Sequence, residues 1–498
     1  MKFSWMGQLE KRQKADALVL PLWKGQGELA YTIPSALLSQ ISGALETGDF
    51  KGNEGEVLCL YVTDLPEKRI LLLGLGLKDK LTVESLRICY SSLVKSCRGR
   101  RLKILNLLVP QINTFSQEAL IRGIAEGLLL SNYSIEQFKQ KEEEETESFP
   151  GLIEKVTWIS PLGKSLLPIA KKAQVICEGV YYTRHLVNGN ADKVTPQYLE
   201  NCAREMQKTY PQLKLTLFDR KRLEKEKMGL LLAVNRGSML DPAFIILEYR
   251  GNPKSGDHTV IVGKGVTYDT GGLNLKIASM EFMKCDMGGA AVCLGTLLAI
   301  CQLGLKVNVT IVIPSTENAI DARSFKPGDI YQGYSGKTVE VINTDAEGRL
   351  ILADALAYAV QNLKPTRLID FATLTGAIDI ALGPEASGLM SNDEALTHAI
   401  EEAAKETAER VWQMPLYEEY REKLKSDIAD LKNWNGRSAS SCVAAIFLKE
   451  FVGNVPWAHI DIASTAYFSD PKKYWPKYAT GIGVRLMVDL LEKISNSG

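Results

Sequence analysis

Apolar positions along this chain follow two alternating patterns. Short unbroken apolar runs, closed by glycine or polar residues, predict buried strands, and stretches with apolar residues at helical spacing predict helices. Residues 69–76 and 102–109 read as strands and 119–130 as a helix. Leu166, Ile169, Ala173, Ile176 and Val180 keep helical spacing and predict a linking helix over 163–187. Beyond it, strand candidates at 244–248, 258–262, 307–313, 338–342, 367–371 and 457–462 are separated by helical segments. The pattern predicts an α/β protein of two domains. A smaller N-terminal α/β domain spans 1–162, and a larger C-terminal domain spans 163–498 with a mostly parallel, doubly wound sheet.

Residues 287–305 carry no charge and approach the length of a membrane span. The run opens on Gly288-Gly289-Ala290-Ala291, includes Gln302 and leads straight into a strand, which predicts a buried helix and no membrane association. The acidic run at 141–147 reads as a solvated loop or helix end. Among 498 residues, 59 basic side chains balance 59 acidic ones, so nucleic-acid binding is not predicted. Nine cysteines without a C-x-x-C argue against a disulfide scaffold or a thiolate zinc ribbon. The start, Met1-Lys2-Phe3-Ser4-Trp5, lacks a secretory apolar run, and the expectation is a reduced, cytoplasmic protein.

Histidine is scarce. His185, His258, His398 and His459 are the whole set, and none forms H-E-x-x-H. Any metal must therefore be carried by carboxylates. These gather where predicted strands end, the place at which open parallel sheets bind ligands. One strand runs into Gly263-Lys264-Gly265 and then Asp269-Thr270-Gly271-Gly272, and another into Asn343-Thr344-Asp345-Ala346-Glu347-Gly348-Arg349. Asp286 stands just ahead of the long apolar helix. Singly these are ordinary: an Asp at a helix start is usually a cap, and Gly263-Lys264-Gly265 lacks P-loop spacing.

Together the strings are specific. Asn343-Thr344-Asp345-Ala346-Glu347-Gly348-Arg349-Leu350 resembles the signature of the leucyl aminopeptidases, the cytosol aminopeptidase family of di-metal peptidases. Lys264, Asp269-Thr270-Gly271-Gly272, Lys276 and Asp286-Met287-Gly288-Gly289-Ala290-Ala291 match further family motifs in order and spacing. So do Ala372-Thr373-Leu374-Thr375-Gly376-Ala377 and Trp457-Ala458-His459-Ile460-Asp461-Ile462-Ala463. The resemblance covers roughly residues 170–490 and is faint before that.

The resemblance implies roles. Lys264, Asp269, Asp286 and Glu347 match the ligands of one divalent metal, and Asp269, Asp345 and Glu347 those of a second. Lys276 and Arg349 match the catalytic pair, and Met283, Thr373, Leu374, Gly376 and Ala463 match the substrate-pocket lining. The implied activity releases N-terminal residues, leucine and other apolar ones foremost, from peptides with a free N-terminus during intracellular peptide turnover. A water bridging the metals attacks the first peptide carbonyl, one metal holds the α-amine, Lys276 steadies the oxyanion, and Arg349 holds a bicarbonate that relays the proton. The implied assembly is a homohexamer. Oxygen-rich ligation suits Mn²⁺ or Mg²⁺, a lysine nitrogen admits Zn²⁺, and the resemblance favours Mn²⁺.

Charge arithmetic agrees. Two divalent cations offset Asp269, Asp286, Asp345 and Glu347, and Lys276 with Arg349 leave the pocket cationic. Lys264 must be neutral to ligate, which costs about 4–5 kcal/mol at pH 7 and predicts an alkaline optimum. Two departures concern pocket shape: Arg184-His185-Leu186-Val187-Asn188-Gly189-Asn190, where the family has Asp after the Arg and a Pro-rich continuation, and Ser464, where it has Gly. Competing readings are another di-metal hydrolase, such as a phosphoesterase, and an inactive structural or nucleic-acid-binding relative.

Overall fold

The computed structural model describes residues 1–25, 33–135 and 152–497. The acidic run at 141–147 lies outside them. The chain divides into two compact units, Met1–Cys177 with Asp470–Pro476, and Glu178–Ser469 with Lys477–Gly498.

The first unit is built on a six-stranded sheet in the order Lys2–Met6, Lys155–Ile159, Ile104–Leu108, Ala17–Leu22, Arg69–Gly74, Val57–Tyr61. Every pairing is parallel except that of the edge strand Val57–Tyr61. Helices Val83–Gly99 and Gln117–Ser131 pack closely because Gly127 presents no side chain: a Cβ there would stand 2.6 Å from the Arg87 carbonyl oxygen. The buried Arg87 Nε meets Glu126 Oε2 at 2.6 Å across the same contact.

The second unit holds a nine-stranded sheet. At its centre Trp457–Asp461, Arg367–Ala372, Thr259–Gly263 and Asn308–Asn318 run parallel. Antiparallel strands flank them: Ala243–Arg250 beside Asn308–Asn318, and Ser387–Ser391 beside Trp457–Asp461. Helices cover both faces. Val260 and Val262 join one apolar cluster with Leu350, Leu352 and Leu356 of helix Gly348–Tyr358. Strand alternation turns Ile261 the other way, toward helix Gly288–Leu303.

That helix is the uncharged run singled out in the sequence. Counted from Met280, it is the one helix among the described residues long and apolar enough to cross a membrane, but 83% of its apolar window is buried within the protein. It lies directly on the sheet. A Cβ on Gly289 would stand 2.0 Å from the Phe371 carbonyl oxygen and 2.7 Å from the Lys264 amide nitrogen. Gly289→Ala is therefore expected to force helix and sheet apart. The cost is about 3 kcal/mol, read calorimetrically as a Tm roughly 5–10 °C lower. An unchanged Tm would contradict this close contact.

One strand expectation needs correction. Residues 338–342 do not enter the main sheet. Thr338–Glu340 forms a small separate sheet with Ile330–Gln332 and Leu431–Lys432. Only Val339 and Val341 are buried there, while Thr338, Glu340 and Ile342 are partly exposed. A strand with one wet face suits such a flap, whereas central parallel strands are buried on both faces.

Candidate metal and catalytic site

The residues singled out in the sequence converge at the carboxyl ends of the central strands. Lys264 follows Thr259–Gly263, and the chain resumes pairing with the same neighbour as Gly265–Asp269. Register is unchanged across the gap, from Val262↔Val312 to Gly265↔Ser315, so Lys264 falls opposite Pro314. Proline has no amide hydrogen for the ladder. The Lys264 backbone bonds elsewhere: its amide donates to Phe371 O at 3.0 Å and its carbonyl accepts from Ala290 N at 2.9 Å.

Carboxylates and ammonium groups alternate. Lys264 Nζ lies 2.7 Å from Asp286 Oδ1 and 2.9 Å from Glu347 Oε1. Lys276 Nζ lies 2.8 Å from Asp269 Oδ2 and 2.5 Å from Asp345 Oδ1. Carboxylate oxygens of Asp269, Asp345 and Glu347 all fall within 4.8 Å of one another. Gly348 lets Lys264 through, since a Cβ there would stand 2.5 Å from its Cε.

The electrostatics follow from four carboxylates meeting two ammonium groups in a largely buried site. Burial pushes the Asp269 carboxyl up and Glu347 adds to it; Asp345 is pushed up to about 7 by burial, then by Glu347 and Asp269. Burial likewise raises Asp286, against the Lys264 ammonium beside it. Glu347 goes the other way: despite its burial, Lys264 and Lys276 hold it below the ordinary range. Burial alone would lower both lysines, yet the surrounding carboxylates raise them above the normal lysine value.

This donor set fits divalent cations. It is rich in oxygen, short of positive charge, and leaves buried Asp286 Oδ2 without a hydrogen-bond partner. The two ammonium nitrogens already stand where positive charge is favoured.

Residues 181–488 match the catalytic domain of the cytosol aminopeptidase family, and residues 19–142 match its N-terminal domain. The chain belongs to this family. The probable cytosol aminopeptidase of Protochlamydia amoebophila (strain UWE25) is 61% identical over 499 residues, covering 99% of each chain. The probable cytosol aminopeptidase of Chlamydia abortus (strain DSM 27085 / S26/3) is 45% identical over the same length, again covering 99% of each. Among solved structures, the bottromycin maturation enzyme BotP superposes with a TM-score of 0.85 at 29% identity, covering 97% of this chain and 100% of its own. BotP in complex with Mn gives 0.85 at 28%, with the same coverage. This chain is thus a metallo-exopeptidase of the cytosol aminopeptidase family, with the family's two-domain α/β architecture and a carboxylate metal cluster. The cytoplasmic expectation agrees with the family's name.

Of the remaining predicted residues of this cytosol aminopeptidase, Thr373 bonds directly to Lys264 and Asp286, and Met283 bonds to the Asp286 backbone. Arg349, in the first turn of helix Gly348–Tyr358, is buried and donates from Nη1 to Asn433 O at 2.7 Å. Its Nε has no hydrogen-bond partner. Thr373 follows the central strand Arg367–Ala372; its hydroxyl donates to Asp286 Oδ1 at 2.7 Å and its carbonyl accepts from Lys264 Nζ at 2.9 Å. Met283 accepts from the Asp286 amide at 3.3 Å through its carbonyl. Leu374 and Ala463 are partly buried just beyond two neighbouring strand ends, and Gly376 opens the exposed helix Gly376–Leu382. Ser464 donates to Ala386 O at 3.0 Å.

Sequence reasoning missed the asparagines that hold the ligand loops. Asn318 donates from Nδ2 to Asp269 Oδ1 at 2.8 Å and to Thr344 O at 3.0 Å. Asn433, fully buried, accepts from the amides of Ile342 and Asn343 and donates to the carbonyls of Asn343 and Ala346. Asn318 stands five residues beyond the apolar run that closes at Ile313, behind Pro314-Ser315-Thr316-Glu317, and so carried no pattern of its own. Asn433 had none either.

Proposed function

We propose that this enzyme releases apolar N-terminal residues, leucine foremost, from peptides. In this reading Lys264, Asp269, Asp286, Asp345 and Glu347 hold two divalent cations, with Asp269 and Glu347 shared between them. Mn²⁺ is the favoured occupant, supported by the manganese complex of BotP, with Zn²⁺ or Mg²⁺ as alternatives. When bound, the cations supply Lewis acidity and a water of lowered pKa.

The chain's own residues do the rest. Lys276 leaves its carboxylate partners and donates to the substrate carbonyl oxygen as negative charge develops there. Arg349, steadied by Asn433, would hold a bicarbonate through its unpartnered Nε; such an anion would supply a proton relay between the attacking water and the leaving amine. Met283, Thr373, Leu374, Gly376 and Ala463 receive the N-terminal side chain. The interleaving of four carboxylates with two lysines from separate chain segments carries this reading. A homohexamer belongs to the same proposal; light scattering should give six times the 55.0 kDa chain mass.

The test compares leucine p-nitroanilide with its N-acetyl derivative, with Mn²⁺ and after chelation. Cleavage of the free-amine substrate alone, lost on chelation, is expected. Equal cleavage of the acetylated compound, or none by folded Mn²⁺-treated protein, would refute the reading.

A further inference from the structure

Asp461 ends the central strand Trp457–Asp461 and is fully buried. It touches none of the proposed metal ligands through a hydrogen bond; instead it ties two loops together. Its Oδ1 accepts from the amide of Leu374 at 3.0 Å and from that of Ala463 at 3.2 Å. Its Oδ2 accepts from Thr375 Oγ1 at 2.7 Å. Thr375 Oγ1 in turn lies 2.7 Å from Ser441 Oγ and accepts from Ile378 N at 3.3 Å, starting helix Gly376–Leu382.

One carboxylate therefore fixes the backbone of two residues from different loops that the preceding reading places in the substrate pocket. The far end of the first loop is fixed separately, because Thr373 is held by Lys264 and Asp286. The metal side and the pocket side of this loop thus have different anchors. Moving the second anchor shifts Leu374 against Ala463 while Thr373 stays with the cluster.

We propose that Asp461 is a positioning residue that sets side-chain preference by holding Leu374 and Ala463 in register. The inference rests on the pocket assignment made above. A branched side chain reaching between these residues depends on their spacing, whereas an N-terminal alanine methyl does not reach far enough to register it. Complementarity to one or a few methylenes in an apolar pocket is worth roughly 10–200-fold in kcat/KM.

The test measures kcat/KM on the p-nitroanilides of leucine and alanine, with Mn²⁺ affinity and Tm measured alongside. In Asp461→Ala the leucine-to-alanine ratio is expected to fall about tenfold, with alanine turnover within about threefold of wild type and Mn²⁺ affinity unchanged. Asp461→Asn should restore the ratio. Its amide oxygen still accepts from both backbone amides, and its NH₂ can donate to Thr375, whose hydroxyl then turns toward Ser441. Folded Asp461→Ala with a wild-type ratio overturns the proposal, as does equal loss on both substrates together with Mn²⁺ affinity. If that variant fails to fold, Thr375→Val, which removes the partner of Asp461 Oδ2 together with the bonds to Ser441 and the Ile378 amide, is read by the same ratio. Leu374→Ala tests the premise: an unchanged ratio there removes the pocket assignment, and the inference with it. Absence of any wild-type cleavage of leucine p-nitroanilide instead marks failure of the proposed function.

Discussion

Replacing Glu347 by glutamine is expected to lower kcat/KM by about a thousandfold, equivalent to about 4 kcal/mol of transition-state stabilisation, while leaving the metal-free protein as stable as before. Glutamine keeps the shape and removes one negative charge. Glu347 is buried, faces Lys264 at 2.9 Å and shares the oxygen cluster with Asp269 and Asp345. Losing its charge weakens both proposed cation positions at once. The same charge also raises the carboxyls of Asp269, Asp286 and Asp345. Its removal relieves repulsion among them, which offsets the lost pairing with Lys264. Activity and Mn²⁺ content should therefore collapse without a matching fall in Tm of the chelated protein. A large Tm loss with Mn²⁺ content intact would make Glu347 a structural residue.

Manganese affinity is expected to rise at least tenfold per pH unit between pH 7 and 9, and more steeply below pH 7. The sign follows from which protonation state binds. Lys264 is raised above the normal lysine value by Asp286, Glu347 and Asp269, so it carries its proton throughout this range. An ammonium has no lone pair for a metal, so ligation by Lys264 releases that proton. Below about pH 7 Asp345 also holds a proton before the metal binds, and its ligation releases that proton as a second. Each released proton contributes one logarithmic unit of affinity per pH unit. Calorimetric titration in two buffers of different ionisation enthalpy counts the protons directly. At least one is expected at pH 8, and it should disappear in Lys264→Met. Zero released protons in the wild type would exclude Lys264 as a ligand.

Much of this site was legible because its chemistry is local. Asp269, Asp345 and Glu347 lie in short strings where the chain leaves a strand or enters a helix, and glycines mark the sharp turns. Gly271 and Gly272 have φ of +84° and +63°, backbone that disfavours other residues. The central strands were legible as apolar runs, since burial on both faces leaves few polar positions. The strand at 338–342 was misplaced because a short apolar stretch does not say which sheet it joins. Asn433 and Asp461 were illegible as supports for a different reason. Apart from the nearby Ala463 amide, the partners that give them these roles, Arg349, Leu374 and Thr375, lie 84 or more residues away, and no spacing pattern encodes such pairings.

The position of Asn433 and of strand Trp457–Asp461 has a consequence for how the enzyme comes off the ribosome. A nascent chain that has emerged only as far as helix Gly348–Tyr358 carries every proposed ligand and both proposed catalytic side chains. It lacks the asparagine that holds the Asp345 loop and Arg349, and it lacks the sheet strands Arg367–Ala372, Ser387–Ser391 and Trp457–Asp461 that lie to one side of Thr259–Gly263. At about 5–20 residues per second, several seconds of synthesis separate the two stages. A prematurely released fragment ending in that interval is a broken peptidase, so hydrolytic capacity is conferred only by the last part of the message to be read.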